Sequence, residues 1–149
     1  MGVDDGDKFK AVIKIREGEN IFAIDPGETS GLCYVCNDVP YFDIVKYGPE
    51  LYAILDKIPK MNISVIVCED YKLYPGMENR LTMDNFIAPK IIGAVEYLCH
   101  IARIPLKLQM AAHVKPFWTD ARLKEFGYWT SNKHKRDSAR HALNFLWEK

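Results

Sequence analysis

Two acids stand where acids are costly, and a third can join them. Asp25 directly follows the apolar run Ile21-Phe-Ala-Ile24, which reads as a strand buried on both faces. A carboxylate there needs a metal ion, a basic side chain or several N–H donors to compensate it. Glu69 ends a second such run, Ile63-Ser-Val-Ile-Val-Cys68. If the two strands are neighbours, both carboxylates sit at one edge of one sheet. Asp137 stands in the first turn of the last predicted helix, directly after the basic loop Ser131-Asn-Lys-His-Lys-Arg136, and His141 follows four residues on, on the same helical face. Three carboxylates and an imidazole that can converge, with basic residues beside them, suit a divalent metal and a phosphate. Magnesium takes oxygen ligands and keeps several waters, so a few carboxylates suffice. Each acid alone reads as a solvated or ion-paired group; the combination carries the case. Pro26-Gly27 and Gly31 mark a tight turn beside Asp25, where another group can approach the backbone closely.

The elements that must position these residues follow from periodicity and breakers. Residues 1–18 are a polar lead-in, although Ala11-Val-Ile-Lys-Ile15 can add a strand, and residues 19–149 form the domain. Strands are predicted at about 20–25, 31–37 and 40–47, with Cys36-Asn-Asp-Val-Pro40 as the hairpin turn. Pro49 opens a helix to about Lys57, stopped by Pro59. After the strand ending at Glu69, a polar loop from Lys72 to about Met83 leads to a long helix reaching Arg103, with Pro89 near its start or at a kink. Leu106–Met110 reads as a strand, Asp120–Phe126 as a short helix, and the last helix runs to about Trp147. In that helix Ala139, Ala142, Leu143 and Leu146 make the apolar stripe, with Asp137 and His141 nearly opposite, so its first turns must overhang the strand ends. Three strands in sequence, then strands alternating with helices, describe an α/β protein with a mixed central sheet of about five strands covered by helices.

Composition narrows the class. A chain of 149 residues that is 48% apolar suits one domain with a sizeable core. No segment approaches ~18 uninterrupted apolar residues, so no membrane span is expected. The polar, acidic opening MGVDDGDKFK is unlike a signal peptide, which makes a cytoplasmic location the expectation. Cys33 and Cys36 have zinc-ligand spacing but lie on a predicted strand, where residues three apart point to opposite faces; with Cys68 and Cys99 they read as reduced, mostly buried thiols. Net charge is zero, yet residues 111–149 carry eight Lys/Arg against four acids, a net of +4 that leaves −4 on the first 110. Such asymmetry permits a local basic surface for a polyanion.

The stretches "IDPGETSG", "VIVCEDY", "APKIIGAVEYL" and "HKRDSARHAL" together resemble the RuvC-type Holliday junction resolvases of the RNase H-like superfamily, especially their bacteriophage members. The likeness runs in order from about Ile21 to Leu146. It implies an RNase H-like fold and an endonuclease in which Asp25, Glu69 and Asp137 bind two Mg2+ or Mn2+ ions. Bacterial members usually carry two acids as D-x-x-D, whereas this chain has Asp137 and His141 four apart, so His141 becomes a fourth site residue, as metal ligand or proton donor. No small-molecule cofactor is implied. The implied reaction is hydrolysis of phosphodiester bonds in branched DNA, with two ions ~4 Å apart clamping the scissile phosphate. Lys133, His134, Lys135 and Arg136, and more loosely Lys115, would contact flanking phosphates, and Tyr71 and Tyr74 would stack on unpaired bases. A four-way junction is cut on opposite sides of a two-fold axis, which matches a homodimer. For its contact the long helix offers one stripe of Ile87, Ile91, Ala94, Leu98 and Ile101 and another of Ala88, Ile92, Val95, Cys99 and Ala102; the competing reading is one wide face buried in one core. Hexokinase- and actin-like ATPases share the acid–glycine turn but need two such domains. A nuclease for flaps, R-loops or RNA–DNA hybrids, or an inactive nucleic-acid binding module, would show the same acids.

Overall fold

The computed structural model describes residues 19–72 and 81–148; Tyr74 and the Ala11–Ile15 segment lie outside them. Strands β1 (Ile21–Asp25), β2 (Thr29–Cys36), β3 (Val39–Lys46), β4 (Val65–Glu69) and β5 (Leu106–Gln109) form one mixed sheet in the order β3-β2-β1-β4-β5. β1 to β3 are an antiparallel meander, while β4 runs parallel to β1 and β5 parallel to β4. The β2–β3 hairpin turns on Asn37 and Asp38 with φ of 52° and 63°. Asn and Asp tolerate that left-handed region, and two such residues match the twist of the strands they join.

Every residue of β1 is buried because helices cover both faces of the sheet. Alternate residues go to alternate cores. Phe22 and Ile24, with Leu32, Ile66 and Cys68, pack against α1 (Pro49–Lys57) and α2 (Met83–Ala102). Ile21 and Ala23, with Cys33, Val35, Val65 and Val67, pack against Trp118, α4 (Asp120–Phe126) and α5 (Lys133–Glu148). A single turn of helix, α3 (Ala111–Val114), precedes Trp118. The four cysteines are free thiols.

Three expectations are corrected. The two apolar stripes of α2 are one wide face: Ile87, Ala88, Ile91, Ile92, Val95, Leu98 and Cys99 all enter the first core, Ala94 is half-buried, and Ile101 lies outside at 57% exposure. The helix spans twenty residues with Pro89 inside it, and it opens on a capping box in which Thr82 and Asn85 satisfy each other's backbone. Second, most of the basic loop is helix. Asn132 Oδ1 accepts from the Lys135 N–H at 3.1 Å, so the cap falls at Asn132 and α5 begins at Lys133. Third, Asp137 and His141 do not lie on a solvent face. The segment around Trp118 covers the far side of α5, with Trp118 Nε1 donating to Asn144 Oδ1 at 3.1 Å, and Asp137, Ser138, His141 and Asn144 are buried with the apolar stripe.

The first turn of α5 reaches the sheet through a gap that only glycine leaves. A Cβ on Gly31 would collide with the carbonyl of His134. Gly31 is also the register partner of Asp25. This close approach of helix to sheet therefore falls beside the first acid.

Candidate active site

β1 and β4 are parallel neighbours, and each ends in an acid, so Asp25 and Glu69 meet at one sheet edge. Asp137 joins them from α5. The three line a cleft of about 280 Å³ together with Pro26, Gly27, Tyr71, Asp84, Asn85, Lys115, Lys133 and His134. Lys115 Nζ stands inside it, 3.3 Å from Glu69 Oε1 and 3.5 Å from Asp137 Oδ2.

The electrostatics of the strand pair are lopsided. Burial, followed by the charge of Glu69 and a hydrogen bond to it, pushes Asp25 up to about 9. Burial acts on Glu69 in the same sense, but hydrogen bonds from His141 and Asp25 outweigh it and hold Glu69 down to about 2. Two adjacent buried carboxylates cannot both ionise cheaply, so the pair titrates as one coupled unit with Asp25 raised and Glu69 lowered. Burial works to lower the Lys115 ammonium, but Glu69, Asp25 and Asp137 around it raise it.

Asp137 is held differently. Arg140 Nη1 donates to its Oδ1 at 2.9 Å, while Arg140 Nε donates to the Trp118 carbonyl at 2.6 Å and Nη2 pairs with Asp120. His141, on the next turn, does not line the cleft. Its ring is fully buried behind Glu69, with Nε2 3.0 Å from Glu69 Oε1 and Nδ1 3.0 Å from Gln109 Oε1. The histidine that does line the cleft is His134, three residues before Asp137 and on the same helical face.

The expected phosphate contacts divide. Lys133 is exposed at the cleft rim and Lys135 is half-buried. Arg136 is turned inward: Nη1 donates to the carbonyls of Thr130 and Ser131, each at 3.0 Å, and its guanidinium lies over Trp129. Tyr71 borders the cleft, its hydroxyl accepting from Asn85 Nδ2 at 3.0 Å. Sequence reasoning passed over Asp84, Arg140 and Gln109. Asp84, in the first turn of α2, accepts from the Glu28 N–H and touches the Gly27 turn. The signal for Arg140 was its place three residues after Asp137; nothing local marked Gln109.

Among the described residues, no group of three His, Cys, Asp or Glu side chains stands closed around a metal position. The donor chemistry nevertheless fits a hard divalent cation. Three carboxylates share one lysine inside the cleft, and burial with the neighbouring Glu69 charge pushes Asp25 up to about 9. Oxygen donors with one histidine bordering them suit Mg2+ or Mn2+.

A three-strand antiparallel meander continued by two parallel strands, with helices on both faces, is the RNase H-like fold. Among solved structures it is shared with T. thermophilus RuvC in complex with Holliday junction substrate, at a TM-score of 0.66 and 16% identity over 87% of this chain and 93% of that one. The yeast mitochondrial Holliday junction resolvase Ydc2 aligns over 95% of this chain and 83% of its own, with a TM-score of 0.40 and 12% identity. No protein-family model matches the chain, and no curated protein matches its sequence.

Proposed function

We propose that this protein is a metal-dependent endonuclease that hydrolyses phosphodiester bonds in branched DNA, with the four-way junction as its substrate. The observation that carries this reading is the convergence of Asp25, Glu69 and Asp137 on one cleft at the ends of β1 and β4, in a fold shared with a resolvase solved on junction DNA. Asp25, Glu69 and Asp137, with His134 beside them, would hold Mg2+ or Mn2+, which when bound supplies Lewis-acid charge for a phosphoryl oxygen and a water of lowered pKa. The chain's own groups do the rest. Lys115 is the cation a phosphate meets inside the cleft. Lys133 and Lys135 sit at the start of α5, where a helix N-terminus adds its own attraction for phosphate. Tyr71 offers a ring beside the cleft for an unstacked base.

The test is cleavage of a panel comprising four-way junction, flap, plain duplex, single strand, R-loop and RNA–DNA hybrid, with Mg2+ and with EDTA. Symmetric cuts in the junction that need Mg2+ support the reading. Preference for the flap, R-loop or hybrid keeps the chemistry and changes the substrate; metal-independent or absent cleavage overturns it.

The working unit we propose is a homodimer built on the outward face of α2. Phe86, Tyr97 and Ile101 are exposed at 57%, 66% and 57%, and Tyr97 and Ile101 flank a shallow groove with Tyr52 and Leu55 of α1. Residues 86, 97 and 101 recur at helical spacing, and an apolar face of this kind suits a two-fold partner. Tyr97→Glu is expected to give a folded monomer that binds junctions without resolving them. A wild type that sediments only as monomer at micromolar concentration, with and without junction DNA, removes the dimer.

A further inference from the structure

The cleft acids are not equally supported, and the difference lies behind Glu69. Glu69 and Gln109 are register partners at the ends of β4 and β5. His141, from α5, brings one ring to both side chains, so a single buried imidazole ties three elements together at the site. Both ring nitrogens face oxygens as they stand, and Gln109 Nε2 is buried with no hydrogen-bond partner among the described residues. Two arrangements satisfy the ring. It carries both protons, or the Gln109 amide is turned by half a turn so that its stranded Nε2–H donates to Nδ1. In both, Nε2 carries a hydrogen aimed at Glu69 Oε1; a bare lone pair facing the carboxylate would repel it.

We propose that His141 is a positioning residue for Glu69: from behind the carboxylate it donates Nε2–H to Oε1 and fixes the side chain toward Asp25 and the cleft. A glutamate has three torsions to order, and Glu69, only partly exposed at the cleft, is met by side chains and by no backbone N–H donor among the described residues. His141 supplies the missing constraint, and Gln109 sets the angle of the ring. This rests on the reading of Glu69 as a metal-holding residue. It gives His141 a role through another residue, with no nitrogen of its own directed at the cleft.

Two variants of the full chain separate positioning from packing. A Gln side chain can bring its Nε2 to the place of the imidazole Nε2, whereas Asn reaches only as far as Nδ1. His141→Gln should keep Mn2+ affinity, measured by calorimetry, within about threefold of wild type, and His141→Asn should lose roughly 10- to 100-fold, the usual cost of losing an orienting partner. Equal affinities in the two variants would reduce His141 to packing and overturn the proposal. In a His134→Ala background, a directly coordinated nitrogen in the pulsed electron paramagnetic resonance of bound Mn2+ would make His141 a ligand, which also overturns it. The 15N-histidine spectrum of metal-free protein separates the two readings. A protonated Nε2 that shifts in Glu69→Gln supports the bond even if the protein proves to bind no metal and cut no DNA. A bare Nε2 sinks it whatever the enzyme does.

Discussion

The strand half of the cleft and its helix half solve opposite problems. Asp25 and Glu69 grow out of two buried strands and share an edge, and burial together with the charge of Glu69 pushes Asp25 up. Asp137 comes from a helix and meets two cations, Lys115 on one oxygen and Arg140 on the other. The helix acid has a cation on each oxygen before anything binds, while the two strand carboxylates share only Lys115, 3.3 Å from Glu69, among the described residues. A site meant only to hold the fold together would compensate both halves. The shortfall sits where an incoming cation would be most useful, and the following experiments attack the contrast from its strong side to its weak one.

Removing the strand acid should have the largest effect, and in two directions. Asp25→Asn is expected to reduce Mg2+-dependent cleavage to background, while junction binding persists through the lysines of α5. The same change should stabilise the metal-free protein. Asp25 is raised to about 9 from 3.8, so the folded state holds a proton that the unfolded chain releases above about pH 4. The stability this gives is complete below that point and lost as pH climbs toward 9. Glu69 has the opposite sense: lowered to about 2, it adds stability above 4.5 that fades only on acidification below that value. Thermal melts in EDTA at pH 8 should therefore place Asp25→Asn above wild type by at least about 3 °C, what ~1 kcal/mol gives in a chain of this size. The gap should close near pH 4. A variant less stable than wild type at pH 8 would show that the strand pair is compensated after all.

The junction between the halves is Gly31, and substitution there should come second. Gly31→Ala must push the first turn of α5 off β2, because the new methyl meets the His134 carbonyl rather than a flexible side-chain end. A displacement near 1 Å at a reacting centre costs on the order of 10²-fold in rate, and overpacking of this kind costs about 1–3 kcal/mol of stability. Cleavage should fall by that factor with Mg2+ affinity reduced and the fold retained. Wild-type kinetics would mean that α5 does not depend on this contact for its place.

The same contrast explains what the sequence made legible. The strand acids could be read because each ends an uninterrupted apolar run, and a run buried on both faces is a local signal. The strand pattern came through with ends displaced by one or two residues, as at Thr29, and the helix at Asp120–Phe126 came through with its bounds intact. The helix half depends on contacts far away in the chain. His141 is buried against Glu69 and Gln109 at the ends of β4 and β5, and Asn144 lies under Trp118; no periodicity within residues 133–148 records either contact. Arg136 stood in a charge run that reads as a polyanion surface, yet its guanidinium is spent on two carbonyls of the preceding loop. On α2, helical spacing could not distinguish two apolar stripes from one wide face, since both have the same period.

The basic residues at the start of α5 give the smallest and most discriminating contrast. Lys133 and Lys135 make no ion pair among the described residues, whereas Arg136 is anchored to Thr130 and Ser131 and approaches Asp120 at 3.6 Å. Each lysine that neutralises a phosphate contributes close to one unit to the slope of log affinity against log salt. Lys133→Ala with Lys135→Ala should lower junction affinity and reduce that slope by about two, with the melting temperature unchanged. Arg136→Ala should do the reverse, leaving the slope alone and lowering stability by about 1–3 kcal/mol through two orphaned carbonyls and the lost charged donor. If Arg136→Ala instead flattens the salt dependence at constant stability, the guanidinium leaves its internal partners on DNA, and the first turn of α5 then acts as one continuous phosphate contact.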